Sequence, residues 1–406
     1  MKLAFVTDAP YVKDVRLQRS LAALNGCEGL EVFFVLDQGM FTEESAALLT
    51  DSAVTHFPAP IPTGGVKKLL WHLSNRFCSL SAHARRSVWI EEKLLALRPD
   101  IIHCINPFSL EACSRAAEKL DAFLVYEAYE YWPDYIDALG ARVPISLAKK
   151  LKEDEGRYAG AADAFIAVSE PLALWYQEEY SLASKPISIL NINAPDADAC
   201  VLESSKLSRA DEASMSQASS ELSLIYSGII TDERNVDLAI EALSSLPKVH
   251  LSIQGDGPAK GRLENMVRSR GLQNQIKFIP PCPPEDLIGS LRNYDLGINL
   301  LLPETKQMEG ALPNKAFDYL RAGLGIISSD TQGMRSLQGV QESFVYLGEL
   351  SASALADVLA GLQDDRARLE ELKNSSRANA GRYTRAHEQD KLRKIYRTFY
   401  GARKNV

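Results

Sequence analysis

The chain has 406 residues, 46% hydrophobic and 24% charged. That is a globular composition, too long for one compact core, and it points to two domains. A net charge of −8 excludes a general nucleic-acid binder. The six cysteines (Cys27, Cys78, Cys104, Cys113, Cys200, Cys282) contain no C-x-x-C pair, so neither a zinc site nor a disulfide framework is expected. Reduced thiols in a cytosolic compartment are the simplest reading.

Leu3–Val6 reads as the first strand and not as a signal peptide. A helix is expected from Asp14 to Leu24, with apolar Val15, Leu17, Leu21 and Leu24 at helical spacing. Glu31–Leu36, Asp100–Ile105, Phe123–Glu127, Phe165–Val168 and Ile187–Leu190 read as further strands. Val66 to Ile90 holds Lys67, Lys68, Arg76, Arg85 and Arg86 without an acidic residue, interleaved with Trp71, Phe77 and Trp89. It is either a basic amphipathic segment for an anionic membrane surface or a solvated helix face with buried aromatics. Residues 199–221 are polar and rich in Ser, and read as a linker or surface excursion.

Strands resume at Leu222–Tyr226, Val249–Gln254, Ile276–Ile279, Leu296–Leu300, Gly325–Ser328 and Phe344–Leu347. Helices fit at Val236–Leu246, Gly261–Arg270, Pro284–Asn293, Asn314–Ala322 and Ala352–Gln363. This alternation predicts an α/β fold of two Rossmann-like parallel-sheet domains, 1–198 and 222–384. A last amphipathic helix over 385–406 is expected to cross back to the first domain. No apolar run is long enough for a transmembrane helix.

The chemistry concentrates between Glu309 and Gly323. Pro313 suits a first helical turn, where a missing N–H costs nothing. The N–H groups of Asn314 and Lys315 would then point out of a helix end, a ready phosphate site. Asp318, one turn on, can accept from a ribose hydroxyl. Upstream, Gly228 lets a ligand approach the backbone at a strand end, and Arg234 begins the next helix. Gln254-Gly255-Asp256-Gly257-Pro258 is a similar turn with a supporting role. The proline loop around Pro281 and Cys282 is stiff, and either exposes backbone to a nucleobase edge or is a rigid connection.

In the first half, Asp14 and Arg16 follow strand one, at the edge where such sheets bind ligands; helix capping by Asp14 is the other reading. Tyr129 and Glu130 follow another strand. His103 reads as a buried structural histidine.

These segments, in this order, resemble the retaining glycosyltransferases of family four. Leu312-Pro313-Asn314-Lys315 through Ala322-Gly323 is close to their LPNK-x-FEY-x-x-AG variant. Tyr226 to Ala242 is similar to G-R-x-x-x-x-K-G-x-x-x-L-I-E-A, with Arg234 at the phosphate-binding lysine and Ile229 where many members have a second arginine. Asp14-Val15-Arg16 matches their D-x-R. In Y-D-A-H-E-x-x-P, Glu127 stands for the aspartate and Tyr129 for the histidine. Asp318 replaces the second glutamate of the family signature, and Glu309 lies one position too far upstream for the first.

The resemblance implies a GT-B architecture, two Rossmann-like domains facing a cleft. It implies transfer of a sugar from a nucleotide-diphosphate donor, UDP- or GDP-linked, to a hydroxyl of a saccharide or lipid-linked acceptor. Transfer would be retaining and metal-independent, with no cofactor. Gly228, Arg234, Pro281, Cys282, Pro313, Asn314, Lys315 and Asp318 would bind donor, Asp14 and Arg16 would lie on the acceptor side, and Tyr129, Glu130 and Glu309 at the reacting sugar. The expected setting is cell-surface polysaccharide or glycolipid assembly, in the cytoplasm or peripheral on the inner membrane face. A catalytically weak nucleotide-sugar-binding relative is the alternative, motivated by Tyr129, Ile229 and Glu309. An epimerase on the same architecture is a third reading, and the first half offers few acid–base groups for it.

Overall fold

A computed structural model describes residues 1–7, 15–24, 30–36, 54–58, 80–138, 144–192 and 221–404. Asp14, residues 66–79 of the basic stretch and residues 199–220 of the expected linker lie outside them. The chain divides into two compact units. One is Met1–Asn191 with Thr305–Gln307 and His387–Val406; the other is Ile192–Glu304 with Met308–Ala386.

The first unit carries strands β1 (Lys2–Thr7), β2 (Glu31–Leu36), β3 (Val54–Pro58), β4 (Ile101–Ile105), β5 (Phe123–Ala128), β6 (Ala164–Ala167) and β7 (Ile187–Ser188). They pair in parallel in the order β3-β2-β1-β4-β5-β6-β7. Residues of β1 alternate between two cores, Ala4 and Val6 on one face, Leu3 and Phe5 on the other. Burial on both faces is why the strand reads as a continuous apolar run. Sequence periodicity does not reveal β3; it is five residues ending in Pro58, at the sheet edge, where a proline is tolerated.

The C-terminal helix Arg385–Lys404 seals one face of this sheet. Leu392, Ile395 and Tyr396 enter the core beside Phe5, and Phe399 stacks on Phe123 at 4.5 Å between ring centroids. Beneath it runs a buried polar chain. Arg19 pairs with Glu127 at 2.7 Å, Glu127 with His103 Nε2 at 3.0 Å, and His103 Nδ1 with Tyr396 Oη at 2.6 Å. Burial pushes the Glu127 carboxyl up, but Arg19 and His103 outweigh it and hold its pKa below the ordinary value.

The second unit has β8 (Leu222–Ser227), β9 (Val249–Gln254), β10 (Ile276–Ile279), β11 (Leu296–Asn299), β12 (Gly325–Ser329) and β13 (Phe344–Leu347). All pair in parallel, in the order β10-β9-β8-β11-β12-β13. Counted from β8 this is the doubly wound dinucleotide-fold order, which reverses between β8 and β11. Among the described residues no helix is long and apolar enough to cross a membrane. Of the basic stretch, Arg85 is exposed while Trp89 packs on the core and Ile90 is buried.

Arg19 and Glu127 are 1% and 0% exposed, so removing one charge strands the other. Glu127→Gln should destabilise the first unit by ~3–5 kcal/mol, the usual size for a broken buried pair. Urea unfolding followed by the aromatics of this unit checks it; an unchanged midpoint refutes it.

Candidate active site

In open parallel sheets the crevice at the strand-order reversal, at the carboxyl ends, is where ligands bind. In the second unit the register sets Ser227 level with Gln254, Gln254 with Ile279, and Asn299 with Ser328. The loops after these strands therefore open on one edge.

The two glycine turns hold each other. Gly228 has φ +139° and its N–H donates to Gln254 O at 3.0 Å; Ile230 N–H donates to Asp256 O at 2.9 Å. A Cβ on Gly255 would lie 1.9 Å from Gly228 O, so that turn needs glycine for backbone contact, not for a ligand. Asn235, at φ 49°, sends Nδ2 to Leu300 O at 3.0 Å and ties the loop after β8 to β11. Tyr319 fills the space above Gly297, whose Cβ would meet its ring at 2.3 Å, and its hydroxyl accepts from Ser227 N–H at 2.9 Å.

The helix Asn314–Ala322 points its first turn at this crevice. Pro313 occupies the cap position with ψ 132°, one residue before the expected first turn, because the helix opens at Asn314. Gly323, at φ 78°, closes it. Lys315 and Asp318 are buried, 9% and 8% exposed. Lys315 Nζ sits 3.6 Å from the centroid of the Tyr226 ring and 3.6 Å from where a Cβ of Gly228 would be. Neither Lys315 nor Arg234 forms an ion pair with a carboxylate among the described residues. Burial pushes the Lys315 pKa well down, and the Arg234 charge adds to this against Asp318. Burial also pushes Asp318 up to about 7, against Arg321 and Lys315. Asn314 Oδ1 is buried without a hydrogen-bond partner. Gly228, Arg234, Asn314, Lys315 and Asp318 are thus associated in one unit.

Other expected residues are placed differently. The Glu309 carboxylate accepts from Gln332 N–H at 3.0 Å and caps a short helix, Gln332–Arg335. Ile229 is 58% exposed. Pro281 is exposed and Cys282 half-buried, its sulfur 3.8 Å from Ser290 Oγ, in the loop after edge strand β10.

In the first unit, Arg16 lies over the Tyr129 ring at 4.3 Å, donates to Tyr129 O at 3.2 Å and pairs with Glu130 at 3.3 Å. Tyr129, expected to face a sugar, is only 6% exposed and belongs to the core. Sequence reading missed Asn106, which follows β4 with φ 63°. Its Oδ1 accepts from Tyr129 N–H at 3.2 Å and Trp132 Nε1–H at 3.3 Å. An asparagine directly after a strand and before Pro107 was the available signal, since asparagine tolerates positive φ.

Residues 210–383 match the family model of glycosyl transferases group 1. A curated relative is the alpha-D-kanosaminyltransferase of Streptomyces kanamyceticus, 26% identical over 181 residues, 43% of this chain and 45% of that protein. The match therefore spans less than half of that relative's length. The Anabaena protein HepE, crystallised with UDP, superposes with a TM-score of 0.67 at 14% identity, covering 98% of this chain and 100% of HepE. WaaG, a glycosyltransferase involved in lipopolysaccharide biosynthesis, superposes with a TM-score of 0.62 at 14% identity, covering 97% of this chain and 99% of WaaG. The fold is the GT-B fold, and with the group 1 match these likenesses support a GT-B glycosyltransferase.

The Asp318 environment has a consequence in pH. Folded, the carboxyl keeps its proton to about pH 7, whereas its ordinary value is 3.8. The folded state binds more protons across that window, so stability falls as pH rises through it. Asp318→Asn should remove this slope. Relative to the parent the variant should gain stability from pH 5 to pH 8, by roughly 2.5 kcal/mol. Urea unfolding at both pH values measures it, and an equal difference at both removes Asp318 as the source.

Proposed function

We propose that the chain is a retaining, metal-independent glycosyltransferase that moves a sugar from a UDP- or GDP-linked donor to a hydroxyl acceptor. One observation carries the reading: a buried lysine without an ion-paired carboxylate among the described residues, at a helix start, at the point where the strand order reverses. A buried ammonium is costly by itself, and with Arg234 beside it the place suits an anion. HepE was crystallised with UDP, which supports a uridine nucleotide as the donor's carrier.

In the proposed reaction the bond from the anomeric carbon to the diphosphate oxygen breaks as the acceptor oxygen bonds to that carbon, and the acceptor proton leaves on the departing phosphate or on solvent. Charge grows on the diphosphate as it leaves. Arg234, Lys315 and the N–H groups of Asn314 and Lys315 would stabilise it. Asp318 would accept from the ribose hydroxyls, whose hydrogen bonds favour its ionised form. Pro281 and Cys282 would border the base. Arg16 and Glu130, with Asp14, would face the acceptor, a saccharide or lipid-linked saccharide. WaaG acts in lipopolysaccharide biosynthesis, which supports polysaccharide or glycolipid assembly.

A second reading is a nucleotide-sugar-binding relative with little turnover. The buried ring of Tyr129 and the capping role of Glu309 favour it. Release of nucleoside diphosphate from a panel of UDP and GDP sugars, with and without acceptor, separates the two.

Lys315→Met should keep or raise the melting temperature of the free protein, because an apolar side chain of similar length replaces a buried charge. The same variant should lose most of the stabilisation that UDP gives the parent. A parent that UDP and GDP leave unshifted would refute the donor site, and a Lys315→Met variant that UDP stabilises equally would remove Lys315 from it. Arg234→Ala should weaken UDP by ~1.5–3 kcal/mol, the worth of a hydrogen bond to a charged group.

A further inference from the structure

Three helices of the first unit, Leu80–Leu97, Leu110–Leu120 and Ile145–Tyr158, share one core through Ile90, Leu94, Ala112, Ala116, Leu147 and Leu151. Each also sends one polar side chain to a common point: His83, Glu111 and Asp154. One ligand atom of each lies within 4.8 Å of the other two. His83 and Asp154 are 6% and 4% exposed. His83 Nε2 and Asp154 Oδ2 face each other at 4.0 Å, both buried and without a hydrogen-bond partner. Such atoms are expensive to bury unmatched. A cation between them would take both lone pairs.

We propose that His83, Glu111 and Asp154 bind a divalent transition-metal ion of the zinc class. One imidazole nitrogen with two carboxylates suits zinc, whereas calcium and magnesium prefer oxygen alone. Donors around a tetrahedral zinc lie ~2.0–2.2 Å from it and so about 3.4 Å from one another, and side-chain rotations would draw the three atoms in to that spacing. Burial first, then Arg86 and Lys150, keep the imidazole neutral, its ligating form.

Lys150 now bridges the carboxylates, 3.0 Å from Glu111 and close to Asp154 Oδ1. Arg115 also pairs with Glu111 at 2.6 Å. The Lys150 side chain is 33% exposed, so its ammonium can swing into water on its long stem when an ion enters. The ion would staple three helices that already meet through apolar contacts, this lysine and the Lys119–Glu91 pair. No cysteine takes part, so cysteine spacing carries no sign of the site.

The test uses the full chain, stripped with EDTA and titrated with zinc chloride, with magnesium chloride as comparison. Calorimetry should show a single zinc bound per chain with a raised melting temperature, and magnesium should do neither. His83→Ala and Asp154→Asn should each weaken zinc by at least about tenfold, as loss of metal-site partners does. Lys150→Met should bind zinc more tightly, because the competing ammonium is gone. Absence of zinc binding by the parent overturns the proposal, as does parental zinc affinity in folded His83→Ala or Asp154→Asn. Should both of those fail to fold, unchanged or weaker zinc affinity in Lys150→Met overturns it.

Discussion

The second unit is arranged around the Lys315 amino group, held out of water and ion-paired with no carboxylate among the described residues. Burying an unpaired charge costs several kcal/mol, and the Tyr226 face under Lys315 returns about 2 kcal/mol at best. The rest must be borne by the packing of the surrounding elements. Tyr319 pins the end of β8 to the helix that carries Lys315, and it can do so because Gly297 leaves room for the ring. The turns at Gly228 and Gly255 interlock backbone to backbone. Lys315 is therefore kept in place by groups that never touch a ligand, as a preorganised site requires.

Around its C-terminal helix the first unit treats buried charge in the opposite way. Arg19, Glu127, His103 and Tyr396 form a closed chain, and Glu388 is matched by Lys391 at 2.9 Å and by the N–H of Leu190 at 2.7 Å. Arg16 is similarly taken up by Tyr129 and Glu130. Charges satisfied internally fix strands and helices relative to one another. Charges left open are available to a ligand. By that contrast an anion would be met in the second unit.

Much of this was legible in the sequence. The strand–helix alternation gives both sheets, because strands buried on both faces are short apolar runs. Asn314 to Ala322 reads correctly to the residue because proline and glycine bracket it. Other features depend on tertiary packing that local pattern does not carry. Strand β3 is short and at an edge. Tyr129 looked like a polar group at a strand end, and its burial depends on Arg16 and core residues far away in sequence. Glu309 meets the N–H of Gln332, which is 23 positions on. His83, Glu111 and Asp154 stand on three helices, with no spacing to betray them.

The departure at Ile229 bears on the proposed reaction through the dielectric. Position 229 is 58% exposed, so a cation there would act through water, where charges 4 Å apart attract by only about 1 kcal/mol. Such a contact would be nearly the same before and during transfer, and its loss would fall mainly on donor affinity. Lys315 works from a site 9% exposed, with a tyrosine ring beneath it. There the effective dielectric is lower, so the increment of charge that the diphosphate gains on leaving is felt more strongly. Rate depends on that increment and not on the charge already present in the bound donor. Exchanging an exposed arginine for isoleucine while keeping the buried lysine is therefore compatible with retained turnover and weaker donor binding.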